Sequence, residues 1–399
     1  MTVEQLWEIG VLATLALPGV RVASSSAYRR VFPFDSLRIG AVTAIYLAAV
    51  VAVAVYAPGW LRALSIPAAA AVAYLAWRAR PSYGVMTSAE PRVAAVFHDA
   101  LAAMAEESAR AGKVVVRTAF MRMMFAAWAE LFYGIDAAHP DFARLKQLFR
   151  VIDARKARWS SRRRVGSALA EIEAILDARA KTLVPARADD SLVSPPSCFL
   201  AALARSDPAA LKDRTILGNL VYIMQITWGD VTGLLLWVFK MLSDNPEWKE
   251  RLAKEPSRDL ATRIVLETLR LEQSESRYRR TTSDLTLDGF RIPKGWLVRM
   301  CIRESHRDET VFPDARVFDP DRFCGRAFTR GEYAPFGAFR LACIGEDITK
   351  AVAGTFALEL ACGFDWRVVE DGPARISSWV HNAPSPRLSV AMTARARAS

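Results

Sequence analysis

The chain has 399 residues and carries 53 lysines and arginines against 42 aspartates and glutamates, a formal charge of +11. That is enough chain for two domains, or for one large helical domain with an appendage. Apolar residues make up 52% of it and the mean hydropathy is +0.13. A surface this basic favours anionic partners such as a lipid surface. Its densest basic run, 155–164, holds six lysines and arginines around Trp159. Without interleaved aromatics it reads as a solvated or membrane-facing helix face, and no nucleic-acid partner is expected. The five cysteines are scattered and form no CxxC pair, which argues against a disulfide framework or a zinc site. No HExxH, GxGxxG or Walker loop occurs.

In chain order, the first strong signal is the uncharged run 39–57, ended by Pro58-Gly59-Trp60. It is long enough to cross a bilayer, with Trp60 at the level of an interfacial aromatic. A shorter apolar stretch, 63–77, follows. Arg29, Arg30 and Arg38 precede the pair, Arg78 and Arg80 follow it, and only Arg62 lies between. The positive-inside rule then predicts a helical hairpin with both ends cytoplasmic; the alternative is one spanning helix followed by a buried one. The expected organisation is a membrane segment over 1–83 and a second domain over 84–399.

Helical spacing of apolar residues predicts helices over 93–110, 116–131, 142–154 and 165–183, followed by a polar linker over 185–196. The stretch 215–239 has Asp230 as its only charge, so it reads equally as a membrane span or as a helix buried through a large domain. Gly229 and Gly233 would permit a local distortion there. A helix over 259–272 comes next. The period then changes: 285–287 and 290–292 form a hairpin around Asp288-Gly289, and a strand follows over 296–300. The fold class is mainly α, an α+β arrangement with a small sheet.

The segment 336–345 holds Cys343 between a Phe-Gly turn and a helix-like stretch over 346–360. Backbone N–H groups and the positive end of a helix dipole favour a thiolate there. Such a thiolate suits an axial position on haem iron.

Four elements stand in order: Glu267-Thr268-Leu269-Arg270, then Gly289 to Gly295, then Arg307-Asp308 leading to Phe318-Asp319-Pro320-Asp321-Arg322-Phe323, and last the cysteine segment. In this order the chain resembles the cytochrome P-450 family of haem-thiolate enzymes, from about Pro91 to the C-terminus. The resemblance implies a helical haem domain with haem b, and Cys343 as its iron ligand. It implies a buried ion-pair triad of Glu267, Arg270 and Arg322. Arg279 and His306 would meet haem propionates, and Phe336 and Arg340 would contact the cofactor. Residues 274–278 and 377–382 would line a substrate pocket.

Three departures from the family pattern matter. Phe339 and Leu341 occupy the places of a glycine and a basic residue in the cysteine loop, with Arg340 out of step. The family's acid and threonine positions fall on Gly229 and Val231, leaving Asp230 and Thr232, the catalytic candidates, each one place late. The membrane stretch stands where the family's N-terminal segments are expected.

The expected function is a membrane-bound oxidoreductase. It would be a monooxygenase that inserts one oxygen atom from dioxygen into an apolar small molecule, with its haem domain on the cytoplasmic side. Electrons would come from an external ferredoxin or reductase. The alternatives are a haem-thiolate enzyme of isomerase, coupling or peroxide-dependent type, and a degenerate haem-binding or scaffold membrane protein.

Overall fold

A computed structural model describes residues 81–152, 162–183, 196–206, 211, 214–272, 277–338, 342–376 and 382–395. The apolar runs 39–57 and 63–77, and Phe339, Arg340 and Leu341, lie outside the described residues. So do most of the two expected pocket-lining segments.

The helices are α1 (Pro81–Ala111), α2 (Val116–Tyr133), α3 (Phe142–Ile152), α4 (Arg162–Leu183) and α5 (Phe199–Ser206). They continue with α6 (Arg214–Asp244), α7 (Pro246–Lys254), α8 (Arg258–Leu271), the short α9 (Ile302–Ser305) and α10 (Glu346–Gly363). The strands are β1 (Val114–Val115), β2 (Arg277–Arg280), β3 (Leu285–Leu287), β4 (Phe290–Ile292) and β5 (Leu297–Met300). Four more follow: β6 (Phe364–Glu370), β7 (Arg375–Ile376), β8 (Asn382–Ala383) and β9 (Ser389–Ala394). The fold is helix-rich with small sheets, as the period changes along the sequence predict.

The chain divides into two compact units, one reaching residue 89 and resuming over 128–225, the other 90–127 with 226–399. In the first unit α3 buries Leu145, Leu148, Phe149 and Ile152, the i, i+3, i+4, i+7 stripe of an amphipathic helix. It packs against α4, and Arg144 grips both oxygens of Glu171 at 2.5 and 2.6 Å. The Tyr133 hydroxyl donates to the Leu220 carbonyl at 3.4 Å, and Gln225 Nε2 to the Ile152 carbonyl at 3.0 Å.

The second unit is built on the C-terminal half of α6, on α8 and on α10. Val231, Thr232, Met241, Leu242 and every residue from Leu234 to Phe239 are buried. Phe120 stacks edge-on to both Phe239 (5.6 Å) and Phe356 (5.1 Å), and Phe97 meets Phe356 at 5.6 Å; such contacts add to the burial of the rings. A three-stranded antiparallel sheet has the order β1-β9-β6. No local pattern in the sequence signals it, because its strands lie far apart in the chain and β1 has two residues.

Among the described residues one helix, Ile216–Asp244, is long and apolar enough to cross a membrane by length and composition, and 56% of its apolar window is buried. It is helix throughout, Gly229 and Gly233 included. The hairpin forms where the sequence placed it. Its turn residues Asp288 and Gly289 adopt φ of 48° and 80°, the left-handed backbone that a tight two-residue hairpin requires.

Candidate functional site

The site starts from α8. Ser257 caps the helix by accepting the Leu260 N–H at 3.3 Å, and Glu267 and Arg270 sit one turn apart on it, both 0% exposed. Arg270 grips Glu267 with two parallel bonds, Nε to Oε2 at 2.7 Å and Nη2 to Oε1 at 2.8 Å. Its Nη1 also donates to the carbonyls of His306 (2.8 Å) and Ala315 (2.7 Å), and Nη2 reaches that of Val317 at 3.2 Å. A buried ion pair is tolerable only when its remaining donors and acceptors are satisfied, and here irregular backbone satisfies them.

Arg322 brings the meander to the same point. Its Nε lies 3.5 Å from Glu267 Oε1, and its other nitrogens donate to the carbonyls of Pro313 and Asp314. Asp319 begins a 3₁₀ turn over Pro320–Phe323 by accepting the Asp321 N–H at 3.0 Å. The Asp319 N–H in turn donates to Glu267 Oε1 at 3.0 Å. The structure therefore brings Glu267, Arg270 and Arg322 together.

The cysteine segment follows the meander in the chain. Phe336 is buried, and its carbonyl accepts the Cys343 N–H at 2.7 Å. Gly337, at φ 75°, makes the turn, with its N–H on the Ala334 carbonyl at 2.9 Å. The loop is thus closed by its own backbone and presents an exposed Cys343 just before Gly345, the N-cap of α10. No cysteine among the described residues is in a disulfide.

The other candidates take varied places. Arg279 is exposed on β2, and its guanidinium reaches the Tyr278 carbonyl at 2.8 Å. His306 is 1% exposed, and its Nε2 accepts the Ala334 N–H at 3.0 Å. Burial, helped by the Arg270 charge, holds its pKa down to about 4, so the ring is neutral at neutral pH. Thr232 is buried and donates its hydroxyl proton to the Trp228 carbonyl at 2.6 Å; Asp230 is partly exposed. Two positions apart in a continuous helix, they point about 200° apart. The structure does not bring them together as an acid–alcohol pair.

Three contributors escaped the sequence reading. Tyr333 donates to the Leu266 carbonyl at 2.7 Å, and burial raises its pKa well above the usual phenol value. Asp321 pairs with Arg251 at 2.7 Å and also with Arg263. Glu272 gathers Arg303 (2.6 Å), Arg307 (3.2 Å) and Asn382 (2.8 Å). Only the carboxylate just past the last turn of α8 signals that cluster in the sequence.

No group of three or more metal-ligating side chains occurs among the described residues. A cofactor whose iron needs a single axial thiolate asks for less: one accessible sulfur beside a helix N-terminus. Cys343 fits that requirement.

Residues 231–386 match the family model described as Cytochrome P450. Abscisic acid 8'-hydroxylase CYP707A1 of Solanum lycopersicum is 29% identical over 197 residues, which is 44% of this chain and 41% of the relative. Cytochrome P450 26A1 of Xenopus laevis is 34% identical over 144 residues, 35% of this chain and 29% of the relative. The chain therefore spans less than half the length of these curated relatives. Among solved structures, CYP109E1 from Bacillus megaterium in complex with corticosterone has a TM-score of 0.59 at 18% identity, covering 79% of this chain and 82% of that one. Retinoic acid bound cyanobacterial CYP120A1 has a TM-score of 0.56 at 20% identity, covering 81% and 77%. These likenesses show the fold.

Proposed function

The chain is a member of the cytochrome P450 family, whose proteins bind haem b, and on that premise we propose that it is a haem-thiolate monooxygenase acting on an apolar small molecule. The observation that carries the reading is the presentation of Cys343. Its loop is closed by the Phe336 carbonyl, it stands exposed at the N-terminus of α10, and the Glu267–Arg270–Arg322 frame backs it. Bound at Cys343, haem supplies the activation of dioxygen that the side chains of the chain cannot provide.

The protein's own part is to hold and orient. Cys343 would be held as the thiolate by the backbone amides and dipole at the start of α10. Arg270, through the carbonyls of His306, Ala315 and Val317, fixes the meander behind the loop. Arg279, exposed on β2, is the proposed propionate partner. Electrons would come from a separate ferredoxin or reductase. The apolar runs 39–57 and 63–77, with arginines outside the pair and only Arg62 between, support a membrane hairpin that leaves the haem domain on the cytoplasmic side.

One observation favours a second reading. The Thr232 proton is already donated to Trp228, and Asp230 lies on another face of α6, so the usual paired delivery of protons is not assembled from these two side chains. That suits peroxide-dependent, isomerising or coupling chemistry. Haem-loaded full-length protein should form product from an apolar substrate with a reductase system, and Asp230→Ala should cut that turnover sharply. Product with peroxide alone, together with reductase-driven turnover that is absent or indifferent to Asp230, would favour the second reading.

A further inference from the structure

His306 takes no part in the chemistry proposed above, yet it joins the ion-pair frame to the cysteine loop. Its carbonyl accepts Arg270 Nη1 at 2.8 Å, and its Nε2 accepts the Ala334 N–H at 3.0 Å. The Ala334 carbonyl then accepts the Gly337 N–H at 2.9 Å, and the Phe336 carbonyl accepts the Cys343 N–H at 2.7 Å. A continuous path of hydrogen bonds and short backbone steps thus runs from Glu267 to the amide of Cys343, and the His306 ring makes its crossing from the frame to Ala334, beside the separate tie of the Tyr333 hydroxyl to the Leu266 carbonyl. The ring is clasped by Tyr333 at 5.0 Å and Phe312 at 6.2 Å.

We propose that His306 is a positioning residue, a neutral imidazole acceptor that fixes Ala334, and through it the start of the cysteine loop, against the Glu267–Arg270 pair. The inference deepens the haem-thiolate reading and rests on it for its functional meaning; the tie itself does not need the haem. An imidazolium has no lone pair with which to accept an N–H, so the same bond makes the loop acid-labile. The charged and titratable groups facing the ring are Arg270 from α8, itself neutralised by Glu267, and Tyr333 from the loop. The Tyr333 hydroxyl is engaged with the Leu266 carbonyl. Arg270 opposes a second positive charge, and burial adds to that, so the closed loop keeps His306 neutral down to a pKa of about 4. Once the loop opens and the ring meets water, its pKa returns to about 6.5.

The test is amide hydrogen exchange across 334–343 in the full chain, with haem and without it. Rates are corrected for intrinsic chemistry at pH 7 and pH 5, and α8 serves as the internal reference. In the wild type, protection of this segment should fall about 20-fold between the two pH values, from the linkage between the two pKa values. His306→Gln keeps an acceptor but cannot titrate, so its loop should stay protected at both pH values. His306→Leu should lose loop protection already at pH 7, and its reduced, carbon monoxide-bound haem should show less of the thiolate-type Soret band. Equal loop protection in His306→Leu and wild type would overturn the proposal, and so would the same acid loss in His306→Gln as in wild type. Should His306→Leu not fold, the comparison of wild type with His306→Gln decides alone. If apo-protein exchange follows the expected pattern while no variant shows a thiolate-type spectrum, the tie stands and the haem reading fails.

Discussion

Within the second unit, the frame behind Cys343 and the hairpin lobe of β2 to β5 are built on opposite terms. The frame buries charge: Glu267, Arg270 and His306 are at most 1% exposed, and they are bonded to one another or to backbone. The lobe exposes hydrocarbon: Leu287, Phe290, Trp296 and Leu297 are 59, 76, 60 and 58% exposed. In the hairpin register Leu285 faces Ile292 and Leu287 faces Phe290, so these four share one face. Thr286 and Arg291 occupy the other. That alternation fits a half-buried ribbon, but among the described residues this face has little cover. The contrast shows that pattern alone does not decide burial. Polar groups go inside where every charge finds partners, and apolar ones stay outside where no layer packs on them.

The largest expected effect is at Arg270. Replacing it by leucine leaves the buried Glu267 carboxylate with only the Asp319 N–H and the long Arg322 contact and deprives three backbone carbonyls of their donor, so urea unfolding should show a loss of about 3–5 kcal/mol. A loss below about 1 kcal/mol would erase the contrast between the two regions.

Acid should come next. The folded pKa of His306, about 4, lies below its unfolded value of about 6.5. The unfolded chain therefore takes up more protons as pH falls through this window. The stability linked to the neutral ring is present above pH 6.5 and is lost as pH drops towards 4. Between pH 7 and pH 4.5 the wild type should lose about 2–3 kcal/mol more than His306→Gln; parallel unfolding curves would show that the ring does not titrate with folding.

Arg322→Ala should cost less, about 1–3 kcal/mol, because its contact with Glu267 is long at 3.5 Å and Arg270 remains. At the far end of the scale, Phe290→Ser should shift stability by no more than about 0.5 kcal/mol. A cost near that of Arg322→Ala would mean that the hairpin face is covered in solution.

Much of this was legible in the sequence. The Glu267-x-x-Arg270 spacing places both side chains on one helical face, and the order of the motifs brought in Arg322 and Cys343. The carbonyls of Ala315 and Val317 carried no signal, because irregular backbone is aimed by tertiary path and not by local period. His306 was expected at a propionate, and the structure places it inside with Ala334; a neutral buried histidine leaves no spacing to read. Asp230 and Thr232 were correctly placed on one helix, yet their rotation about it separates them. The apolar length of α6 fits both a membrane span and a core helix, and only packing shows Leu234 to Phe239 buried. The β1-β9-β6 sheet joins a two-residue strand to strands more than 200 positions away, a pairing that no local pattern shows.

Everything proposed for this protein rests on Cys343 as an iron ligand held by this frame. The most direct measurement is the reduced, carbon monoxide-bound spectrum of the haem-loaded full chain beside that of Cys343→Ala. The wild type should show a red-shifted, thiolate-type Soret band, and the variant should lose it. A chain that binds no haem, or a spectrum that Cys343→Ala leaves unchanged, would contradict it.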